Sequence, residues 1–148
     1  MTVWLGDQSP ESSDYARQLG VVANLMLQNK RYQYFPMACL IAWIHPAILL
    51  KQIKLFYNDK GLPIGYITWA WLAPDVEERW TNDPKVMLHF TEWNEGEALW
   101  IMDFLAMPGY AKLLQRHALA DLFPDQTQAK SLRRKPDGSR RSVTTWRR

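Results

Sequence analysis

The chain has 148 residues, which is enough for one domain and little more. Hydrophobic residues make up 47%, charged residues 22%, and there are 8 Trp, so the composition predicts a packed core and excludes a disordered chain. The single cysteine excludes an internal disulfide and a multi-cysteine zinc site. We therefore predict one domain over residues 1–148, with a flexible N-terminus over residues 1–12.

Positive charge is concentrated at the C-terminal end. The whole chain has a formal net charge of +3, whereas residues 130–148 carry eight Lys and Arg against one Asp. A basic segment attracts anionic partners, and nucleic acid, phospholipid and acidic proteins all qualify. Because no RNP-like aromatic pattern accompanies this segment, we expect no nucleic-acid partner.

Targeting and membrane segments are not expected. The first residues, Met1–Asp7, contain no basic or apolar region of the kind that begins a secretory signal. The longest uncharged run, Tyr32–Leu50, is interrupted by Pro36, His45 and Pro46, so it is too short in apolar residues to span a bilayer. These features predict a soluble, cytoplasmic protein without an integral membrane segment.

Periodicity and turn residues predict helices and strands in alternation. In chain order, we expect a helix from about Asp14 to Gln28, an apolar helix Met37–Leu50, strands 52–57 and 62–72 joined by a turn at 58–61, a helix beginning at Pro74, a strand Ala98–Met107, a helix Tyr110–Leu122, and strands 129–135 and 140–146 joined at 136–139. This order predicts a mixed α/β (α+β) domain with a mainly antiparallel central sheet flanked by helices.

Asp103 is the most informative single residue, because it is the one charge in an otherwise apolar strand. A buried carboxylate costs several kcal/mol unless it is paired, so such residues are either satisfied structurally or retained for function. One interpretation is an acid on the polar side of a half-buried strand, or one that caps a neighbouring turn. The other is a catalytic base or orienting group.

Two further features suggest binding. The Pro108–Gly109 break precedes a helix whose first turn, beginning at Tyr110, has no acid, so its amides favour a phosphate, with charge added by Lys112 and Arg116. An ordinary strand-to-helix loop is the alternative. The aromatic residues around Trp69 fit a core, and they also fit an apolar slot for an acyl chain.

The pattern W-x-x-G-x-x-x-W-x-x-D, formed by Trp93, Gly96, Trp100 and Asp103, resembles the RTX toxin-activating lysine acyltransferases, the hemolysin-activating family. The stretch Gly65–Ala70 and the closing basic hairpin also resemble that family. The resemblance extends over about residues 18–146.

The resemblance implies a fold similar to the GNAT acetyltransferases. It implies transfer of a fatty acyl group from acyl-acyl carrier protein to an internal lysine of an RTX-type protoxin, by a cytoplasmic homodimer. Neither a metal nor a permanently bound cofactor is implied, since the donor is a phosphopantetheine thioester. The turn at Gly109 then suits phosphopantetheine, and the basic C-terminal hairpin suits the acidic carrier protein.

The sequence departs from the family at its catalytic histidine. The resemblance aligns Tyr32 with that histidine and Asn29 with a serine of the same loop. A histidine is a good base near neutral pH, whereas tyrosine, with a reference pKa near 10, is a poor base but an acceptable acid. Three possibilities follow: Tyr32 acts as the acid, His45 has taken over as the base, or the chain is an acyl-carrier or peptide-binding module with little or no catalysis.

Overall fold

A five-stranded sheet forms the centre of the molecule. The computed structural model describes residues 10–83, 85–135 and 140–148. The strands are β1 (Ile53–Tyr57), β2 (Pro63–Leu72), β3 (Ala98–Ala106), β4 (Gln128–Arg134) and β5 (Arg140–Arg147). They follow one another across the sheet in chain order, and neighbours are antiparallel except for the parallel pair β3 and β4. The predicted mixed α/β domain with a mainly antiparallel sheet is therefore confirmed.

The helices also lie close to their predicted positions. They are α1 (Pro10–Leu27), α2 (His45–Leu49), α3 (Pro74–Asn82) and α4 (Ala111–His117). A π-helical segment, Leu40–Ile44, runs into α2, a second, Ala118–Leu122, follows α4, and a 3-10 turn covers Phe90–Trp93. None of the helices in the described ranges is both long and apolar enough to cross a membrane.

Two predictions concern segments at the edges of the described ranges. The first helix begins at Pro10 rather than near Asp14, so the last three residues of the segment predicted to be flexible are helical. Residues 1–9 of that segment lie outside the described residues. The predicted turn at 136–139 also lies outside them, although the two strands that it joins pair as expected.

Helices cover both faces of the sheet. On one face, α1 and the α2 region pack against Tyr66 and Leu105, and on the other, α4 packs against Ile67 and Ile101. Full burial of one such side chain contributes about 1.5–3 kcal/mol to stability. Because a shift of one residue would turn the side chains of a strand to the opposite face, this energy fixes which residues of β2 and β3 face each layer of helices.

The tryptophan and glycine residues of the recognised motif hold β3 in place. Trp93 and Trp100 are buried in one apolar cluster against the α2 region and α3. A side chain at Gly96 would bring its Cβ within 2.1 Å of the Leu72 carbonyl, and the amide of Gly96 donates to the carbonyl of Trp71 at 3.0 Å. Only glycine fits this approach, so the motif seats the start of β3 against the end of β2.

A polar contact ties β3 to β4 where the two strands pair. The indole Nε1–H of Trp100 donates to Glu77 Oε2 at 2.6 Å, and Lys130 Nζ lies 3.3 Å from the same oxygen. Trp100 and Lys130 are also directly opposite each other in the sheet. Helix α3 therefore fixes the register of the parallel pair through Glu77.

Glu92 is a buried carboxylate away from the strands. Its Oε1 accepts the backbone N–H of His89 at 2.9 Å, and its Oε2 accepts a hydrogen bond from the Arg79 guanidinium. The His89 hydrogen bond, followed by Arg79, holds the pKa of Glu92 below its ordinary value despite the opposing effect of burial. This carboxylate is therefore a satisfied anion at the entry to the 3-10 turn.

Candidate active site

A groove opens where β3 and β4 separate. Their described pairing ends at Ile101 and Ser131, and just beyond it Asp103 of β3 and Arg133 of β4 line a groove of about 520 Å³. We name it the Asp103 groove. Its lining consists of Arg31, Tyr32, Ile101, Asp103, Phe104, Ala111, Gln115, Ser131, Leu132, Arg133, Ser142, Thr144 and Trp146.

A β-bulge lies directly beside Asp103. Thr68 of β2 is opposite Asp103, whereas the next residue, Trp69, is opposite Ile101, so Met102 is the extra residue. A bulge re-aims the side chains around it and is frequent next to active sites. Thr68 is completely buried at this point, and within the described residues its hydroxyl has no hydrogen-bond partner.

The Asp103 carboxylate is held by three donors. The Tyr32 hydroxyl donates to Oδ1 at 2.5 Å, the Tyr66 hydroxyl donates to Oδ2 at 2.6 Å, and the backbone N–H of Phe104 donates to Oδ1 at 3.0 Å. Asp103 is 5% exposed and Tyr66 is 0% exposed, so two of these groups are shielded from bulk water. All three donors are uncharged, so none of them forms an ion pair with the carboxylate at the wall of the groove.

Tyr32 reaches Asp103 from the turn that follows α1. Its backbone N–H donates to the carbonyl of Asn29 at 3.1 Å, which closes the turn. Its ring packs edge-to-face on Phe35 with centroids 5.2 Å apart, and Phe35 packs in the same way on Trp43 at 5.3 Å. This aromatic row fixes the ring direction, and it places a residue 71 positions away in sequence on Asp103.

The geometry suits proton transfer at the groove. A hydroxyl that donates to a carboxylate becomes a better acceptor at its own oxygen, because hydrogen bonds in a chain polarise one another. Tyr32 and Asp103 both line the groove, so an amine nitrogen that becomes cationic in the groove can give a proton to the Tyr32 oxygen while the tyrosine proton moves to Asp103. This is the arrangement that general acid–base chemistry requires.

A second groove, which is rich in positive charge, adjoins the first. It has a volume of about 540 Å³ and shares Gln115, Thr144 and Trp146 with the Asp103 groove. Lys112 and Arg116 of α4 line it together. We name it the basic groove; its other lining residues are Leu119, Ala120, Thr145, Arg147 and Arg148.

The predicted turn before α4 is present. Gly109 has φ +90°, in the left-handed region that favours glycine, and the N–H of Tyr110 donates to the carbonyl of Met107 at 3.1 Å. Pro108 followed by such a glycine is typical of a type II turn. The Tyr110 amide is thus used within the turn, and its side chain lines a different groove, shared with residues of α1.

Trp69 and His45 lie apart from Asp103. The Trp69 ring packs edge-to-face on Phe123 at 5.1 Å, on the side of the sheet that α4 covers. His45 Nδ1 lies 2.6 Å from the hydroxyl of Tyr15. Neither residue is among those that line the Asp103 groove. The structure therefore brings Asp103 and Tyr32 together, and Lys112 and Arg116 together, but not His45 or Trp69 with either pair.

Tyr66 is a site residue that the sequence analysis missed. A tyrosine in a strand of apolar and aromatic residues is typical of a core, and its ring does pack there. Its hydroxyl reaches Asp103 because the bulged register of β2 and β3 brings the two residues close on one face. The sequence did contain one indication of this role, namely the hydroxyl of Tyr66 within Gly65–Ala70, a stretch that already resembled the family.

The family assignment rests on most of the chain. A family model described as the RTX toxin acyltransferase family matches residues 11–147. The chain belongs to this family, and the resemblance inferred from the motif is confirmed.

Individual relatives share about a third of their aligned residues with the chain. The protein-lysine myristoyltransferase RtxC of Kingella kingae is 32% identical over 112 residues, which cover 76% of this chain and 65% of that protein. The RTX-II toxin-activating lysine-acyltransferase ApxIIC of Actinobacillus pleuropneumoniae is 33% identical over 99 residues, 67% of this chain and 61% of that protein. This chain therefore spans less than two thirds of the length of these two relatives.

Two other similarities are more distant or uninformative about function. The uncharacterized protein sll0720 of Synechocystis is 28% identical over 123 residues, which cover 82% of each chain. Among solved structures, a chain described as histone acetyltransferase HPA2 and related acetyltransferase, from Corynebacterium glutamicum, aligns with a TM-score of 0.43 and 11% identity over 88% of this chain and 76% of that one.

Proposed function

We propose that this protein is a protein-lysine acyltransferase that transfers a fatty acyl group from acyl-acyl carrier protein to an internal lysine of an RTX-type protoxin or a related protein. The observation that carries the proposal is the Tyr32–Asp103 hydrogen bond of 2.5 Å at the wall of a groove between two separating strands. Membership of the family supplies the reaction class, since the relatives' own names describe lysine acyltransferases.

The proposed reaction uses Tyr32 and Asp103 as one proton-transfer pair. The neutral lysine amine attacks the thioester carbonyl and forms a C–N bond. The nitrogen gives its proton to the Tyr32 oxygen as the tyrosine proton moves to Asp103 Oδ1, along the existing hydrogen bond. When the C–S bond breaks, the proton returns through Tyr32 to the departing thiolate, so the pair ends in its initial state and the products are an amide and a thiol.

The basic groove is the proposed contact for the acyl donor. Lys112 and Arg116 lie beside the Asp103 groove, so a phosphopantetheine arm that reaches the carboxylate passes these two cations. Phosphate and an acidic carrier surface are both attracted to such a patch. In this proposal the turn at Gly109 and Tyr110 directs α4 towards the arm, whereas Trp69, which lines neither groove, supports the apolar core under α4. A cytoplasmic location and a homodimer are part of the same proposal.

A second candidate function has one specific observation in its favour. His45, the other candidate base, is engaged with Tyr15 and lies outside the Asp103 groove, which leaves Tyr32 where the resemblance implies a histidine. A chain that binds acyl carriers or peptides with little turnover would keep the grooves but not need a strong base. This second candidate function predicts that the protein binds the carrier protein but does not transfer the acyl group.

Intact mass spectrometry separates the two candidates. The protein is incubated with acyl-acyl carrier protein and an RTX-type acceptor that contains the target lysine, beside an established family member under the same conditions. A mass increase of one acyl group on the acceptor is the expected result. Binding of the carrier with an unmodified acceptor, while the established enzyme works, supports the non-catalytic module and rejects the transferase.

A further inference from the structure

The two tyrosines on Asp103 come from different parts of the fold. Tyr32 lies in the turn after α1, whereas Tyr66 lies in the middle of β2, paired on both sides by β1 and β3. Each hydroxyl donates to a different carboxylate oxygen, Oδ1 for Tyr32 and Oδ2 for Tyr66. The carboxylate is thus held between a loop residue and a strand residue.

We propose that Tyr66 is a positioning residue that orients the Asp103 carboxylate for proton transfer through Tyr32. The inference rests on the proposed function. Tyr66 does not line the Asp103 groove, and its contact with the carboxylate is on the oxygen opposite to the one that receives the Tyr32 proton. Tyr66 therefore acts through Asp103 and does not touch the substrate.

The packing of Tyr66 makes it a rigid support. Its ring is fully buried in the cluster formed with α1 and the α2 region, so the hydroxyl cannot turn away without opening the core. Opposite Asp103, Thr68 does not hold the carboxylate, since its hydroxyl has no hydrogen-bond partner among the described residues. Tyr66 is then the side chain from the sheet that fixes the direction of Oδ1.

This support matters during the reaction. When the Tyr32 proton moves to Oδ1, the hydrogen bond that held the carboxylate from the loop side reverses its direction. The Tyr66 hydrogen bond to Oδ2 is unaffected and keeps Oδ1 facing Tyr32, so the proton can return. Small losses of alignment between reacting groups cost large factors in rate.

Tyr66→Phe tests the inference, with Tyr15→Phe as the matched control. Tyr15 also has its hydroxyl in a hydrogen bond with a side chain, Nδ1 of His45, but outside the groove. The acceptors are two peptides, one with lysine and one with thialysine, a less basic amine that needs less help in losing its proton. With lysine, we expect Tyr66→Phe to lower kcat about 30-fold and to change KM by less than about twofold. With thialysine, the loss shrinks to about 5-fold. Tyr15→Phe changes both reactions by less than about twofold.

Each outcome supports or overturns the positioning role of Tyr66. An equal loss with both peptides indicates a structural effect and overturns the inference, while the proposed function stands because the wild-type protein acylates. Unchanged kcat in Tyr66→Phe overturns it as well. If the wild-type protein acylates neither peptide nor the full acceptor, the proposed function fails and this inference fails with it. Tyr66→Met fills similar space and serves as the second variant if Tyr66→Phe does not fold.

Discussion

Two buried carboxylates in this molecule have opposite surroundings. Glu92 faces the Arg79 guanidinium and a backbone amide, so its charge is neutralised within the protein. Asp103 accepts from two tyrosine hydroxyls and a backbone amide, all uncharged. Glu92 serves the local fold at the 3-10 turn, whereas Asp103 lines a groove, together with Arg31 and Arg133, and its described hydrogen-bond donors are all neutral.

The difference separates an anion that stabilises from one that can react. An ion-paired carboxylate has little tendency to take a proton, and removing it costs stability rather than activity. A carboxylate held only by neutral donors remains available to a positive charge that develops beside it. A substitution at Asp103 is therefore expected to affect activity, and a substitution at Glu92 to affect stability.

Asp103→Asn is expected to have the largest effect. The amide keeps the size of the side chain but cannot accept the Tyr32 proton as a carboxylate does, so acyl transfer falls by about 10³-fold or more. The urea-unfolding curve changes little by comparison, because the ring packing around the site is kept. Transfer rates by intact mass, with the unfolding midpoint as the control for folding, check this. Activity within tenfold of wild type would remove Asp103 from the mechanism.

Tyr32→Phe is expected to lower transfer by about 10²-fold, since it keeps the aromatic row with Phe35 and removes the proton carrier. Tyr32→His places an imidazole, a better base near neutral pH, at the position that the predicted alignment gives to the family histidine. That variant is expected to retain or exceed wild-type activity in the same mass assay. Full activity in Tyr32→Phe together with inactivity in Tyr32→His would contradict both the alignment and the proton path.

The sequence predicted Asp103 and the fold class for physical reasons that are local. An acid within an apolar strand is costly unless it is used or paired, and turn residues such as Asn58 and Gly109 mark strand ends. The turn at Asn58 forms as expected, with its side-chain oxygen accepting the amides of Lys60 and Leu62 at 2.9 Å. Local chemistry was enough for these features.

Other parts of the site depend on register and could not be predicted. The bulge at Met102 and the parallel pairing of β3 with β4 arise from contacts between segments distant in sequence. The bulge and this pairing bring Tyr66 to Asp103 and open the groove beside it. The contact between His45 and Tyr15 is a further example, because nothing in the sequence around His45 predicts it.

A smaller, salt-dependent effect is expected at the basic groove. Lys112→Gln combined with Arg116→Gln removes two of its cations, so the KM for acyl-acyl carrier protein rises about 10-fold at low salt while kcat changes by less than about twofold. Lys54→Gln, a charge loss at an exposed position of β1, is the control. Steady-state kinetics at two salt concentrations measure the effect. A change in KM that is equal for the control, or that does not diminish with salt, would place the carrier elsewhere.

Glu92→Gln is expected to change stability slightly and activity not at all. The folded protein holds the pKa of Glu92 below its ordinary value, so folding favours the charged carboxylate. The stabilisation is fully present above the ordinary pKa of an unfolded glutamate and is lost as the pH falls through the lowered pKa of the folded state. Its size is about 1 kcal/mol, because Arg79 is half-exposed and its attraction is screened by solvent.

Urea unfolding at a series of pH values tests this sign. The wild-type free energy of unfolding should fall with acidification more steeply than that of Glu92→Gln, and the exposed Glu95→Gln should follow the wild type. Parallel curves for wild type and Glu92→Gln would show that the His89 hydrogen bond and the Arg79 ion pair do not lower the pKa of Glu92 in the folded state relative to the unfolded state. A loss of acyl transfer in Glu92→Gln, at unchanged stability, would break the contrast with Asp103, because it would give the paired carboxylate a part in the reaction.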